Sequence, residues 1–431
     1  MGILLLVLAL LLGAGCSAAP VEEAPSEDLD QVLTDLMTRN GQRRLSAFRQ
    51  PDSGDFAAIP QFAGNPLTPE KVRLGQLLFH EPALATRPVV ADNAGTYSCA
   101  TCHHAAAGFQ AGQPRSIGEG GIGWGVRGEA RRPGPSADAP GLRSPSVLNV
   151  AFQDVLSWNG QNGALGQNLN TDAHWVEGTP SEVNARGYDG VEAQAVAALT
   201  THRMSNFYDD SVILTNETYR DLWNQVYPHE QNINRDALGF VLAAYERTLF
   251  PNRAPFQRWI RGEFSAMTDA EKRGAIVFFG ESGCETCHTG PGLSGPGFYA
   301  LGMPDMPGGE SPALGRGGFL DDPSMYRTFK VPQLYNMEDS PFLGHGGTFP
   351  SVESVVRYYN DGIPAVPLPE GVLEGRFRPL NLTEEEVQDL TAFLRDALRD
   401  PELDRYAPDA LPTGNCFPAA DAAARRDLGC Q

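Results

Sequence analysis

Positive charge is scarce in this chain. Its 33 Lys and Arg stand against 53 Asp and Glu over 431 residues, a formal net charge of −20. Nucleic acid and anionic membrane surfaces would repel such a chain, which argues against both as partners. Long apolar runs are scarce as well: Ile3 to Leu12 is too short to span a bilayer. Spare cysteine is lacking. Of seven, four belong to two Cys-X-X-Cys-His pentapeptides, one is Cys16, and Cys416 and Cys430 lie in the C-terminal tail, so none is left as a catalytic nucleophile. Strand-like patterns are few, and 47 Gly and 34 Pro between helical segments fit long loops. What is present is ordinary for a soluble globular chain: 41% hydrophobic residues and a length that suggests two or three domains.

The pentapeptides are Cys99-Ala-Thr-Cys102-His103 and Cys284-Glu-Thr-Cys287-His288. In such a motif both thiols can add to the vinyl groups of one haem, and the adjacent imidazole is held against the iron as proximal ligand. A redox dithiol or half of a zinc site competes for a single Cys-X-X-Cys. A four-thiol zinc knot would have to ignore both histidines, so two covalent c-type haems are expected, with His103 and His288 as iron ligands.

The first residues read as an export signal. Gly13-Ala14-Gly15-Cys16 after the apolar run resembles a bacterial lipoprotein cleavage site, which would leave Cys16 lipidated. No Lys or Arg precedes the run, and Gly13 stands where Leu or Val is usual. Ordinary cleavage near Ala18-Ala19 is the alternative and leaves no anchor. Export to the periplasm or cell envelope suits c-type haem attachment and permits a Cys416–Cys430 disulfide.

Helical start signals precede each haem motif. Thr68-Pro69 opens a helix carrying Leu74, Leu77, Leu78 and Phe79, and Thr268 with Glu271 forms a capping box before Ala275 to Phe279. Closing helices are expected from Ala237 to Phe250 and from Thr383, where Glu386 follows three residues on and Val387, Leu390, Phe393, Leu394 and Leu398 share a face. Helix, motif, loop-rich segment and closing helix occur twice. The expected fold is therefore mainly α: two cytochrome c-like helical haem domains with long Gly/Pro-rich loops. The expected divisions are a signal (1–16), a tether with a short helix (17–57), an N-terminal haem domain (58–256), a C-terminal haem domain (257–410) and a tail (411–431). Residues 111 to 142, rich in Gly and Arg, read as a long loop near the first haem.

These residues resemble the bacterial dihaem cytochrome c peroxidases and their MauG-type relatives, from about Leu67 to Leu398. The markers are Leu78-Phe79-His80, Ser116-Ile117-Gly118, Arg143 to Asn149, Trp158-Asn159-Gly160, Gln194-Ala195, Ala244-Tyr245-Glu246-Arg247, Phe329 to Asn336 and His345-Gly346-Gly347. The resemblance implies that the N-terminal haem meets hydrogen peroxide at an open iron site and that the C-terminal haem stores electrons. It implies Trp158 between the haems as a stepping point for electrons. A core tryptophan is the plain alternative.

Departures from the family decide the remaining site residues. A removable histidine ligand of the first haem falls at Glu119, a poorer ligand, which implies a five-coordinate first haem as in MauG-type enzymes; a solvated loop residue is the alternative. The family's catalytic glutamate follows Gln194 by about ten residues, but here the stretch reads Thr201-His202-Arg203-Met204. Gln194, His202, Arg203 or Glu119 would have to supply the polar group. The second haem's distal ligand, methionine in typical peroxidases and tyrosine in MauG-like members, falls at Tyr359. A phenolate stabilises ferric iron; Met303 or Met306 is the alternative ligand. Ser144 stands where the family has an asparagine ligand for interdomain calcium, and a hydroxyl is a weaker ligand for a hard cation, so the calcium is in question.

The leading expectation is a peroxidase that takes electrons from a small cytochrome c or cupredoxin through the C-terminal haem. The alternatives are a MauG-type oxidase acting on a protein or organic substrate and a non-catalytic dihaem electron carrier. Nothing in the sequence sets the oligomeric state, and a homodimer is left open.

Overall fold

The structure is a computed structural model that describes residues 28–39, 41–204, 211–229, 233–309 and 311–430. The apolar run and Cys16 lie outside the described residues. Twelve α-helices are present among those described: α1 (Leu29–Thr38), α2 (Pro69–His80), α3 (Gly190–Thr201), α4 (Val212–Thr215), α5 (Glu217–Val226), α6 (Arg235–Glu246), α7 (Pro255–Ile260), α8 (Asp269–Phe279), α9 (Gly315–Leu320), α10 (Val352–Asp361), α11 (Glu384–Ala392) and α12 (Ala422–Asp427). Among the described residues, strand is limited to two antiparallel pairs of two residues each. They are β1 (Gly121–Ile122) with β2 (Arg132–Pro133), and β3 (Phe298–Tyr299) with β4 (Phe329–Lys330). The fold is mainly helical, as the loop-rich composition implied.

Local signals set the helix starts. Thr68 Oγ1 accepts from the Lys71 N–H, with Pro69 at the first helical position of α2. Thr268 and Glu271 close a reciprocal box at the head of α8, and Thr383 and Glu386 do the same at α11. α6 stops at Glu246, four residues short of the expected end, and Arg247 turns its guanidinium back to Glu192 and Asp189.

Two cores result. The first gathers Leu74, Leu77, Leu78 and Phe79 of α2 with Val191, Ala195 and Leu199 of α3 and Leu238, Val241, Leu242 and Tyr245 of α6. The second gathers Ala275, Phe278 and Phe279 of α8 with Val387 and Leu390 of α11, then Phe393 and Leu398 beyond it. In each, the helix before the haem motif crosses the closing helix at a glycine. A Cβ on Gly75 would overlap the Val241 carbonyl oxygen, and one on Gly274 would overlap the Asp389 carbonyl oxygen. Only a glycine lets the backbones come that close.

The first and last described segments exchange sides. α1 buries Leu33 and Met37 in the second core, and Asp30 accepts from the Trp259 indole at 2.7 Å and pairs with Lys272 at 2.8 Å. The C-terminal segment packs on the first core, through Leu403 and Tyr406 ahead of the expected tail, Leu411 within it, and an isolated bridge between Tyr97 and Ala419. Cys416 and Cys430 form a disulfide, with Sγ atoms 1.98 Å apart.

Candidate functional site

Both pentapeptides form tight 3₁₀ turns. The His103 N–H donates to the Cys99 carbonyl at 3.1 Å, and the His288 N–H to the Cys284 carbonyl at 3.0 Å. The four thiols are part-buried and unpaired, and burial pushes the Cys102 thiol up to about 12. Each imidazole turns Nδ1 to a carbonyl oxygen: His103 to Phe109 at 3.3 Å, His288 to Leu293 at 3.0 Å. Burial lowers both to about 4, against the pull of those carbonyls. A neutral ring donating from Nδ1 leaves the Nε2 lone pair for iron, so the donor set fits a haem.

Beside the first turn, charged groups from three segments converge. A Cβ placed on Gly118 would lie 4.0 Å from Cys102 Sγ, which brings the 116–120 loop to the edge of the haem motif. Glu119, with no solvent exposure, accepts from the Val90 N–H at 3.1 Å and the Asn93 amide at 3.3 Å. Its other oxygen faces an Arg203 guanidinium nitrogen at 3.1 Å, yet the N–H is not aimed along the contact, so the meeting is of charges. Arg203 also reaches Asp138 at 3.4 Å, and Asp138 lies 3.5 Å from His202. The His202 imidazole holds the Asp138 carboxyl below its usual range, while burial pushes the other way. Tyr97 closes the group: its hydroxyl donates to the His202 carbonyl, and burial, with Glu119 next, pushes its phenol up so that it stays protonated.

Backbone geometry explains the convergence. The Gly118 N–H donates to the Asp138 carbonyl and the Asp138 N–H to the Glu119 carbonyl, which zips both carboxylates into one loop. Arg203, just past the end of α3, has φ 58°, a left-handed conformation usually left to glycine. Gln194, part-buried on α3, is not a member of this cluster. Asp138 and Tyr97 were not foreseen; the only signal for Asp138 was its place in the long Gly- and Arg-containing stretch.

The second turn faces an apolar cavity of about 280 Å³ lined by Cys284, Cys287, His288, Phe278 and Leu390. Tyr359, on α10, and Met303 both line it, whereas Met306 is buried elsewhere and touches Arg115. Burial, then the Cys284 and Cys287 sulfurs, push the Tyr359 phenol up. Arg143, Arg327, Lys330, Arg376 and Arg378 add positive charge to the wall, suited to haem propionates. Burial lowers the Lys330 ammonium to about 8.

Trp158 lies on the wall of the same cavity but belongs to the first half of the chain. Its indole N–H donates to the Arg143 carbonyl at 2.7 Å, and its ring meets His345 edge-on at 6.3 Å. His345 stacks on Phe329 and contacts Asp305 at 3.2 Å. His80 is buried, with Nδ1 on the Gln76 carbonyl, and His104 holds the Arg127 carbonyl. The Ser144 hydroxyl accepts from Ser116 at 2.6 Å.

Two imidazoles presented for iron, on paired helical cores of cytochrome c type, define a two-haem protein. A family model described as di-haem cytochrome c peroxidase matches residues 69–265. The methylamine utilization protein MauG of Methylorubrum extorquens is 30% identical over 392 residues, 90% of this chain and 90% of that protein. Cytochrome-c peroxidase IdrP1 of Denitromonas iodatirespirans is 27% identical, over 80% of this chain and 85% of that one. Among solved structures, a MauG-like protein associated with microbial copper homeostasis has the same fold. Its TM-score is 0.62 at 22% identity, over 82% of this chain and 96% of that one. The chain belongs to the di-haem cytochrome c peroxidase and MauG family, a family of oxidoreductases that implies two haem c cofactors.

Proposed function

We propose that this chain is an exported dihaem peroxidase that reduces hydrogen peroxide to water, H2O2 + 2 H+ + 2 e− → 2 H2O. Its electrons arrive singly from a small cytochrome c or cupredoxin. Cys99 and Cys102 hold one haem with His103 as ligand; Cys284 and Cys287 hold the other with His288 and Tyr359. Iron with an open position supplies peroxide binding and electron transfer when the first haem is in place. The carrying observation is the contact of Glu119 with Arg203 beside the first haem turn. Where the resemblance places a histidine this chain has the Glu119 carboxylate, where it places a glutamate the stretch reads Thr201-His202-Arg203-Met204, and Arg203 of that stretch meets Glu119. Glu119 holds and passes the proton that must move between the peroxide oxygens, the general acid–base role. Arg203 keeps that carboxylate oriented and adds fixed positive charge, and Trp158 bridges the two halves for electrons. Calcium has no part in this reading.

Tyr359 in the second cavity favours a second reading, a MauG-type oxidase acting on a protein or organic substrate. The electronic and EPR spectra of the oxidised protein test both. One high-spin haem is expected, and two low-spin haems inert to peroxide even after half-reduction would sink both. Glu119→Gln should slow the reaction with peroxide by about 100-fold at unchanged haem content. Tyr359→Phe should convert the second haem's spectrum; an unchanged spectrum removes Tyr359 as a ligand and leaves Met303. Fast turnover of ferrous cytochrome c supports the peroxidase, and slow turnover with a long-lived spectral change supports the oxidase.

A further inference from the structure

Arg131 is 3% exposed, and a guanidinium so placed is costly unless its N–H groups are met. It donates to the Ile117 carbonyl at 2.7 Å, the Gly118 carbonyl at 2.8 Å and the Gly123 carbonyl at 3.2 Å, and it pairs with Asp421 at 3.1 Å. Two of those carbonyls belong to the residues immediately before Glu119. Asp421 lies 290 positions away in sequence, inside the loop that the Cys416–Cys430 disulfide closes. Its other oxygen accepts from the Gly123 N–H at 3.0 Å while capping α12 through the Ala423 and Ala424 N–H groups.

The same closed loop holds the rest of the segment. Asp427 accepts from the Trp124 N–H at 2.7 Å, and the buried Trp124 ring packs on Ala419, Ala424 and Leu428. The Pro418 carbonyl accepts from the Ser98 hydroxyl at 3.0 Å and the Thr101 hydroxyl at 2.5 Å, inside the first haem turn. One covalently closed loop thus touches both the turn that carries the haem and the segment that carries Glu119.

We propose that loop 416–430 is a clip that sets the Glu119 carboxylate against the first haem, with Arg131 and Asp421 as its positioning residues. The proposal rests on the reading of Glu119 as the proton-handling group. Bringing the haem turn and the Glu119 loop to one rigid partner fixes their separation, and small misplacements of a proton-transfer group are costly in rate.

The test uses the holoprotein and the variants Glu119→Gln, Asp421→Asn and the pair combined. Asp421→Asn should slow the reaction with peroxide about tenfold. It should also change the EPR signal of the first haem but not the second, and speed amide exchange across 117–123. The combined variant should be no slower than Glu119→Gln alone, because Asp421 acts through Glu119. Wild-type rate, exchange and first-haem EPR in Asp421→Asn would overturn the clip, as would multiplicative losses in the combined variant. A Glu119→Gln protein that reacts at the wild-type rate removes the role of Glu119. The clip then stands or falls on exchange and first-haem EPR alone. Should Asp421→Asn fail to hold haem, the double variant Cys416→Ser with Cys430→Ser opens the loop and carries the same expectations, and unchanged exchange and EPR in it overturn the proposal.

Discussion

Glu246 ends α6 with its carboxyl shut away from water and one oxygen without a hydrogen-bond partner. Burial first, then the nearby Glu192 charge, raise it to about 8, against the opposing pull of Arg247. The folded protein therefore binds a proton here that the unfolded chain has lost above its ordinary carboxyl range. Stability from this group is complete at acid pH and drains away as pH rises toward about 8. Glu246→Gln should be neutral near pH 4 and stabilising by roughly 2 kcal/mol at pH 8. Thermal melts of the haem-loaded protein at the two values check this, and equal shifts at both would contradict it. Glu246 was legible from the sequence only as a family marker, because desolvation depends on what covers a side chain. Glu119 and Arg203 were legible one at a time, as two departures from a family pattern. That they meet at 3.1 Å was not.

Elements were the most legible scale. The capping boxes at Thr268 and Thr383 and the Pro69 start are made by residues three apart, so the sequence that signals them also builds them. The end of α6 was less legible, since Arg247 leaves the helix to meet Glu192 on α3. The two helix crossings were not foreseen. Gly75 and Gly274 occupy matching places in the helices before each haem motif, and each lets a partner backbone approach. Gly274→Ala should cost about 3 kcal/mol by forcing α8 from α11. Guanidinium unfolding followed at the second haem measures it, and a loss below about 0.5 kcal/mol, the size of an ordinary surface change, would show that the crossing tolerates a methyl group.

At the scale of the molecule, the first and last described segments pack on opposite cores. The short helix expected within a tether is part of the second core, where Leu33 and Met37 are fully buried and Phe48 is 2% exposed. Burial of such side chains contributes about 1.5–3 kcal/mol each. Deleting residues 28–48 should therefore lower the denaturant midpoint at the second haem while the first holds, read separately by EPR. Equal losses at both haems, or none, would contradict this packing.

The sequence by itself determined the two Cys-X-X-Cys-His motifs, the helical class, the capped helix starts and the family, which implies two haem c. Each of these rests on residues a few positions apart or on an ordered set of markers, and so survives without a fold. Tertiary structure decided which charges meet beside the first motif, that Tyr359 and Met303 share a cavity with the second, and which core takes α1 and the C-terminal segment. Contacts such as Arg131 with Asp421, 290 residues apart, form only when the whole chain has closed around its cores. Nothing local in either segment carries the address of the other.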